Sequence, residues 1–228
     1  MRLTRWIVVA ALALPTALFA GSARIQLEVA PALFAEAEYW PGEAGKPAVL
    51  VLHGFLATRD FPTVRRLAES LAGKGYSVLA PTLSLGLNRR RGSMGCEALH
   101  THGLQDDLVE LRRWVEWLSN RVGKPPALIG HGAGGVQVAA LMSLHPDLPI
   151  AHAVLINLSY FGEEQGTELL EALRIRAAED RQRRPDAMLR YALTYCKTYV
   201  TTPVHLLSYL DWGQARLERA IADSAVPI

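Results

Sequence analysis

The sequence predicts a single domain of the α/β class, in which a mostly parallel β-sheet is covered by helices on both faces. Short continuous apolar runs, such as residues 48–52 (AVLVL), alternate with segments whose apolar residues recur at helical spacing. Continuous apolar runs are typical of strands buried on both faces, and their alternation with helices is typical of parallel sheets. The length of 228 residues, half of them hydrophobic, is sufficient for one domain with a substantial core.

The first 23 residues are predicted to be a secretory signal peptide that does not belong to the fold. Arg2 and Arg5 precede an apolar stretch over residues 6–20, and small residues follow it. This stretch is shorter than the roughly 20 residues that span a bilayer, so a retained membrane anchor is the weaker alternative. We therefore expect a protein exported to the periplasm or secreted, with a mature domain over residues 24–228 and no stable membrane anchor after cleavage.

The charge balance of the mature chain indicates no particular macromolecular partner. Removal of the leader would remove two of the 24 Lys and Arg residues and none of the 22 Asp and Glu residues. The remaining chain has as many basic as acidic residues, so neither nucleic acid nor an anionic membrane is expected as a partner. The sequence has no phosphate loop and no dinucleotide fingerprint, and we expect no cofactor.

The predicted elements follow one another regularly as far as residue 158. Two extended segments lie within residues 25–39, and a turn then leads to the strand 48–52, which ends in HGFLATRD. The later predicted elements, in order, are a helix with Val64, Leu67, Ala68 and Leu71 on one face, a strand (YSVLAP), a polar connection over 82–103, a helix over 104–122, a strand (PPALI), a turn (GHGAGG), a helix over 134–145 and a strand (HAVLINLSY).

Residues 160–200 interrupt this alternation. The segment is charged, rich in arginine and helical in pattern (EEQGTELLEALRIRAAEDRQRR). We expect a helical insertion that covers the carboxyl edge of the sheet as a cap. The alternative is an ordinary crossover helix that has grown long.

Three features together resemble the α/β-hydrolase superfamily. They are an apolar strand that ends in His-Gly (VLVLHGF), a small-residue turn after a later strand (IGHGAGG), and the strand–helix units between them, so that the resemblance covers about residues 33–158. The resemblance implies a nucleophile elbow of the form G-x-S-x-G at residues 130–134. Gly130 and Gly134 hold the flanking positions, but Gly132 stands where the nucleophile is expected and has no atom that can attack a carbonyl.

The resemblance also implies an acid and a histidine after the elbow, in that chain order. The last histidine is His205, and the final residues, AVPI, look like the opening of a strand, so the fold looks incomplete at the C-terminus. Asp211 fits the acid if PVHLLSY is a strand; equally, it fits the N-cap of the helix GQARLERAIADS.

A group of backbone donors is expected to survive the loss of the nucleophile. By resemblance, the N–H groups of Ala133 and Phe55 form an oxyanion hole, next to His53, Gly54 and His131. Backbone donors do not depend on side-chain identity. They predict a site for a small ligand that carries a carbonyl or a carboxylate group.

The segment CEALHTH places Cys96, His100 and His102 close together, but the preferred interpretation is a polar loop without a metal. A displaced thiol nucleophile, Cys96 with His100 as base, is a weaker hypothesis because this loop is separated from the elbow. Cys96 and Cys196 pair in one interpretation and remain unpaired thiols in the other.

The run Arg89, Arg90 and Arg91 is interpreted as a solvated loop, with binding of an anionic group over the cleft as the alternative.

Two functions remain open at this point. The first is a degenerate or truncated copy of an exported hydrolase of esters, thioesters or amides, without triad catalysis. The second is a binding protein that is not an enzyme and holds its ligand in the cleft. A weaker third interpretation is an enzyme that uses residues not recognised in the sequence.

Overall fold

The computed structural model describes residues 21–228, so nearly all of the predicted signal peptide lies outside the described residues. Its main feature is a six-stranded sheet in the order β1-β2-β4-β3-β6-β7. The strands are Ala23–Ala30 (β1), Leu33–Trp40 (β2), Ala48–Leu52 (β3), Ser77–Thr82 (β4), Ala127–His131 (β6) and His152–Ile156 (β7). β4, β3, β6 and β7 are parallel, whereas β1 and β2 join as an antiparallel edge. The predicted α/β class with a mostly parallel sheet is confirmed.

In the described part of the chain, six α-helices connect and cover the strands. They are Pro62–Gly73 (α1), Leu104–Val122 (α2), Ala133–Leu144 (α3), Thr167–Arg183 (α4), Pro203–Leu210 (α5) and Gln214–Ala222 (α6). The helix predicted over 104–122 is confirmed residue for residue. Gly123, in the left-handed region, ends it. Within residues 21–228, no helix is both long enough and apolar enough to cross a membrane.

Alternate residues of β3 show that helices cover both faces of the sheet. Val49 and Val51 pack with Val64 and Ala68 of α1 in a small apolar cluster. Leu50 and Leu52 belong to the larger core, with side chains of α2 and α3. Because successive strand residues point to opposite faces, a strand with helices on both sides must be apolar throughout, as AVLVL is.

The segment 160–200 is only partly helical, and the prediction of a helical insertion is wrong for its second half. α4 is followed by a hairpin of Leu189–Leu193 (β8) and Cys196–Thr201 (β9). β9 also pairs with the two-residue strand Leu99–His100 (β5), which gives a second sheet in the order β5-β9-β8. Residues 189–201 are rich in aromatic and β-branched side chains, which favour strands, but the arginine-rich pattern before them dominated the interpretation.

The segment PVHLLSY is the helix α5, so the strand considered for it is wrong. The hydroxyl of Thr202 caps the helix by accepting a hydrogen bond from the His205 N–H at 3.2 Å, and Pro203 occupies its first turn. Asp211 lies at the C-terminal end of α5, and Gly213 is the N-cap of α6. Neither role predicted for Asp211, strand-end acid or helix N-cap, agrees with this position.

The last residues run beside β7 without forming a regular strand. The N–H of Ala153 donates to the carbonyl of Pro227 at 2.8 Å. The AVPI segment, which was expected to open a strand, therefore makes a backbone hydrogen bond to the edge strand β7 but is not itself a strand.

Cys96 and Cys196 form a disulfide across 100 residues of sequence. The interpretation of two unpaired thiols is wrong. The bond joins the polar connection before α2 to the start of β9, which brings both segments to the carboxyl edge of the main sheet.

Candidate functional site

The turn between β6 and α3 is built by glycines that serve different purposes. A Cβ on Gly130 would overlap the backbone of Gly134, and a Cβ on Gly134 would overlap the carbonyl of His53, so both positions need glycine for close approach of strand and helix. Gly132 differs, because a Cβ there would meet no atom within 4 Å beyond its chain neighbours. Its backbone has φ 57° and ψ −125°, outside the regions that side chains favour.

This turn opens onto a cavity of about 420 Å³ at the carboxyl edge of the sheet. Besides the turn itself, four parts of the chain form its wall. The lining residues are His131, Gly132 and Ala133 of the elbow, Gly54, Phe55, Leu56, Ala57 and Phe61 after β3, Ser93 of the polar connection, Asn157 and Ser159 after β7, and Glu164, Thr194 and Tyr195 of the 160–200 segment.

Two backbone N–H groups at the cavity are available to a ligand. Ala133 is the first residue of α3, where an N–H group has no acceptor within the helix. Phe55 lies in the turn after β3. Among the hydrogen bonds of the described residues, neither N–H is a donor. The arrangement can donate two hydrogen bonds to an oxygen atom, and the N-terminus of α3 adds a partial positive charge.

Three residues with side chains adopt a positive φ at the wall of this cavity. They are Leu56 (φ 54°), Asn157 (φ 50°) and Thr194 (φ 47°). Thr194 is β-branched, and a β-branched residue is a clear outlier in this region. Backbone strain costs about 1–3 kcal/mol at each such residue and tends to concentrate at functional sites.

The wall is mostly apolar and aromatic. The ring of Phe55 packs edge-on against that of Tyr195 at 5.8 Å between centroids, and Phe61 lies 5.5 Å from the imidazole of His131. Tyr195 also donates to the carbonyl of Phe55 at 3.2 Å. Glu164 supplies a carboxylate, and no lysine or arginine is among the described residues that line the cavity.

His53, predicted to be part of the ligand site, is buried behind the wall and does not line the cavity. Its Nδ1–H donates to the carbonyl of Gly54 at 2.8 Å, and its Nε2 accepts from the Leu83 N–H at 3.0 Å. Burial, with the nearby charge of Arg90, lowers the pKa of His53 to about 3. The neutral ring therefore holds the turn after β3 in place from behind the cavity wall.

The group Cys96, His100 and His102 does not form a reactive site. The sulfur of Cys96 is bonded to Cys196, so it is neither a thiol nucleophile nor a metal ligand. His100 stacks on Tyr199 with 4.0 Å between ring centroids. The part of the chain that the structure describes contains no group of three or more His, Cys, Asp or Glu residues arranged to hold a metal.

His102 belongs to a buried polar network that connects α2, α3 and α5. Its Nδ1 lies 3.2 Å from Asp107 Oδ1 and 2.8 Å from the hydroxyl of Tyr209. The Asp107 carboxylate also accepts from Tyr209 at 2.7 Å and from Gln137 at 2.8 Å. None of these four residues lines the elbow cavity.

The three arginines of the polar connection lie outside the cavity, so their binding of an anion over the cleft is not supported. Arg90 is buried and donates to the carbonyls of Leu83 and Ala57, both at 2.7 Å. Arg91 pairs with Glu36 at 2.9 Å, and Arg89 lies over the ring of Phe34. The solvated-loop interpretation is therefore wrong for Arg90.

Sequence reasoning missed several residues of the wall. Asn157 follows the end of β7 directly, and side chains at the carboxyl ends of parallel strands are a known signal for binding sites. Thr194 and Tyr195 form the turn of a hairpin that was interpreted as helix, so no signal pointed to them. Asp211 is exposed and pairs with Arg174 at 3.8 Å, and it is not among the residues that line the cavity.

Comparison with known proteins agrees with this architecture. A family model described as "Alpha/beta hydrolase family" matches residues 49–228. No curated protein matches the sequence. The fold is similar to that of the α/β hydrolase GrgF from Penicillium sp. sh18, with a TM-score of 0.61 and 14% identity over 90% of this chain and 78% of that chain.

Two other solved structures are also similar. A thioesterase domain from the curacin biosynthetic pathway has a TM-score of 0.58 and 17% identity, over 91% of this chain and 81% of that chain. The dienelactone hydrolase from Anabaena variabilis ATCC 29413 has a TM-score of 0.47 and 17% identity, over 59% of this chain. The chain spans only 62% of that enzyme's length.

Proposed function

Because this chain belongs to the α/β-hydrolase family, we propose that its elbow cavity binds a small carbonyl-bearing ligand without forming an acyl-enzyme. In this proposal the chain descends from a hydrolase of esters, thioesters or amides. It has kept the binding part of the site and has lost triad catalysis.

The conformation and identity of Gly132 carry the proposal. The residue occupies the elbow between β6 and α3 and opens onto the cavity, where a nucleophile would have to stand. Glycine supplies neither a hydroxyl nor a thiol, so no covalent intermediate can form at this position. The two unpaired N–H groups of Ala133 and Phe55 beside it need no side chain to bind an oxygen atom.

The histidine–carboxylate pair within the described residues supports the same conclusion. A general base of the triad type is a histidine oriented by a carboxylate and in reach of the nucleophile. His102 and Asp107 form such a pair, but both are buried in the network between α2, α3 and α5 and do not line the cavity. His131 lines the cavity, and its ring packs against Phe61.

The charges and walls of the cavity favour a neutral carbonyl group over a carboxylate. Glu164 places a carboxylate at the wall, and no described lining residue is a lysine or arginine that would offset a second negative charge. Phe55, Phe61 and Tyr195 offer aromatic surface to an apolar substituent. A volume of about 420 Å³ is in the range of small-molecule sites.

Calorimetric titration with matched esters, amides and free acids tests the proposal. We expect saturable binding of neutral carbonyl compounds, a rise in melting temperature, recovery of the ligand unchanged, and no labelling by a fluorophosphonate probe. Ser93→Trp should block binding because Ser93 lines the cavity, whereas Ser143→Trp, at an exposed position near the end of α3, should leave it intact. Absence of binding across the panel, or turnover of an ester, would contradict the proposal.

We further propose that the protein is exported. Besides the predicted leader, the Cys96–Cys196 bond supports this, because disulfides persist mainly in oxidising compartments. Mass spectrometry of the protein from its native cell should find an N-terminus between residues 20 and 24. An intact residue 1 in the mature protein would contradict export by cleavage.

A further inference from the structure

A second concave site lies away from the elbow, between α4 and the start of α6. It is a groove of about 390 Å³. We call it the arginine groove, because Arg174, Arg216 and Arg219 line it together with the first residues of α6. Asp211 is the one carboxylate among the described residues of its wall, so three arginines and a single carboxylate line the groove.

The beginning of α6 lacks the groups that normally neutralise a helix N-terminus. Its N-cap is Gly213, no side chain caps it, and its first turn contains no acidic residue. The N–H groups of Arg216 and Leu217 donate to the carbonyl of Gly213, whereas Gln214 and Ala215, which line the groove, make no such bond among the described residues. Unpaired N–H groups and the helix dipole together favour an anion at this position.

The arginines are held in place by contacts that leave their charge available. The guanidinium of Arg216 stacks on the buried ring of Trp212, 4.3 Å from its centroid, and Arg219 Nε donates to the carbonyl of Ala215 at 3.1 Å. Neither residue has a carboxylate within 4.0 Å in the described chain. A guanidinium that stacks on an aromatic ring keeps its N–H edges free and ordered for bidentate contacts with oxygen atoms.

Arg174 approaches the same point from α4. It donates to the carbonyl of Leu210 and lies 3.8 Å from Asp211. A Cβ on Gly213 would lie 3.2 Å from its guanidinium, so glycine at the N-cap lets this side chain come close to the start of α6. Two elements that are distant in sequence therefore direct donors to one groove.

We propose that the arginine groove binds the phosphate group of a small phosphomonoester. Three guanidinium groups and two free N–H groups exceed what the two oxygens of a carboxylate can accept, and they suit the three terminal oxygens and higher charge of a phosphate. The groove is larger than a phosphate ion, and Tyr160 and Leu170 line the remaining space for an organic substituent. This site is independent of the elbow cavity and of the function proposed for it.

Titration calorimetry at constant ionic strength tests the proposal, with inorganic phosphate and glycerol 3-phosphate as probes. Vesicles of phosphatidylcholine with and without phosphatidic acid distinguish a lipid headgroup from a free phosphomonoester. We expect saturable binding of glycerol 3-phosphate, weaker binding of inorganic phosphate, and loss of about ten-fold in affinity for Arg216→Gln, because hydrogen bonds between charged groups are involved.

Matched variants separate a specific site from general positive charge. Arg181→Gln removes the same charge from an exposed position of α4 outside the groove and should change affinity less than about two-fold. Arg216→Lys keeps the charge but lacks the paired N–H donors of a guanidinium group, so it should give an intermediate loss of affinity. Asp211→Asn removes the negative charge from the wall and should strengthen binding several-fold. Binding only to phosphatidic acid vesicles, dependent on Arg216, would support the site with a lipid as the source. Equal losses for Arg216→Gln and Arg181→Gln, or no saturable binding to any probe, would overturn the proposal.

Discussion

Gly132 has backbone angles that residues with a side chain rarely adopt, although the space around it would accommodate a side chain. Its φ of 57° is strained for other residues, yet its surroundings are open. The steric demand at this elbow therefore comes from Gly130 and Gly134, and glycine at residue 132 avoids the backbone strain that a side chain would add there. At this residue, folding and triad chemistry favour different amino acids.

Gly132→Ser and Gly132→Ala should therefore fold with a similar loss of stability. We expect each to lower the free energy of unfolding by about 1–2 kcal/mol, because the strain depends on the Cβ and not on the hydroxyl. Urea denaturation measures this loss. Labelling of Gly132→Ser, but not of Gly132→Ala, by a fluorophosphonate probe would show that a working base lies within reach of residue 132.

Glu110 is a second residue with an unusual environment. Its carboxylate is buried and accepts from the Ser84 N–H at 2.9 and 3.0 Å. Burial raises the pKa of Glu110 from 4.5 to about 7, with Asp107 adding to the shift and the hydrogen bonds from Ser84 opposing it. In the folded protein the neutral acid is thus favoured below about pH 7.

This shift predicts a pH dependence of stability. Because the folded pKa lies above the unfolded one, the stabilisation is complete below about pH 4.5 and is lost as the pH rises to about 7. Relative to Glu110→Gln, the wild type should lose about 3 kcal/mol of unfolding free energy over this interval. Denaturation curves of both proteins at several pH values measure the difference, and a difference that is constant with pH would contradict the assignment.

At the scale of elements, the disulfide and the hairpin β8–β9 define one side of the elbow cavity. Ser93 lies shortly before Cys96, and Thr194 and Tyr195 lie just before Cys196. The bond therefore ties two parts of the wall together. Its long separation in sequence means that it restricts the unfolded chain strongly.

The double variant Cys96→Ser, Cys196→Ser should lose about 2–4 kcal/mol of unfolding free energy. It should also bind ligand more weakly in the elbow cavity, since Ser93 and Tyr195 are then free to separate. Urea denaturation and calorimetry measure the two effects, with the wild type under reducing conditions as the control. Unchanged stability in both the variant and the reduced protein would contradict this role.

The helices α2, α3 and α5 meet at the buried carboxylate of Asp107. Tyr209→Phe removes one of its donors, and the hydroxyl that His102 contacts, without a large change in volume. We expect a loss of about 1–3 kcal/mol, the cost of leaving a buried charged acceptor short of a partner. Tyr195→Phe, at an exposed hydroxyl, is the control, and equal losses for both in thermal unfolding would argue against the network.

The elements differ in how far the sequence predicts them. Continuous apolar runs and helical spacing were sufficient for the parallel strands of the main sheet and for α1, α2 and α3, and extended patterns for its antiparallel edge, because these patterns follow directly from burial on one or both faces. α5 had a readable signal, a Thr N-cap followed by Pro, that was outweighed by its apolar character. The hairpin β8–β9 and Asn157 had local signals, in strand-favouring side chains and in a position directly after a strand, that were not used. The pairing of the two cysteines and the placement of Thr194 and Tyr195 at the cavity depend on how distant segments fold together, which local patterns do not contain.

At the scale of the whole molecule, the elbow cavity and the arginine groove differ in character. The elbow cavity is apolar, with two free N–H groups and a glycine at its centre. The arginine groove is strongly basic and lies against α4 and α6. The glycine-rich elbow at residues 130–134 was predicted from the sequence. The arginine groove was not, because it forms only where α4 packs beside the start of α6.

In the function proposed above, the elbow cavity binds a carbonyl group and does not react with it. A titration of ¹⁵N-labelled protein with a neutral ester, followed by NMR, tests both parts in one sample. We expect the amide signals of Ala133 and Phe55 to shift with saturation, while the ester is not hydrolysed over the course of the titration. Conversion of the ester to acid and alcohol at a rate proportional to protein concentration, or the absence of shifts at both amides, would contradict it.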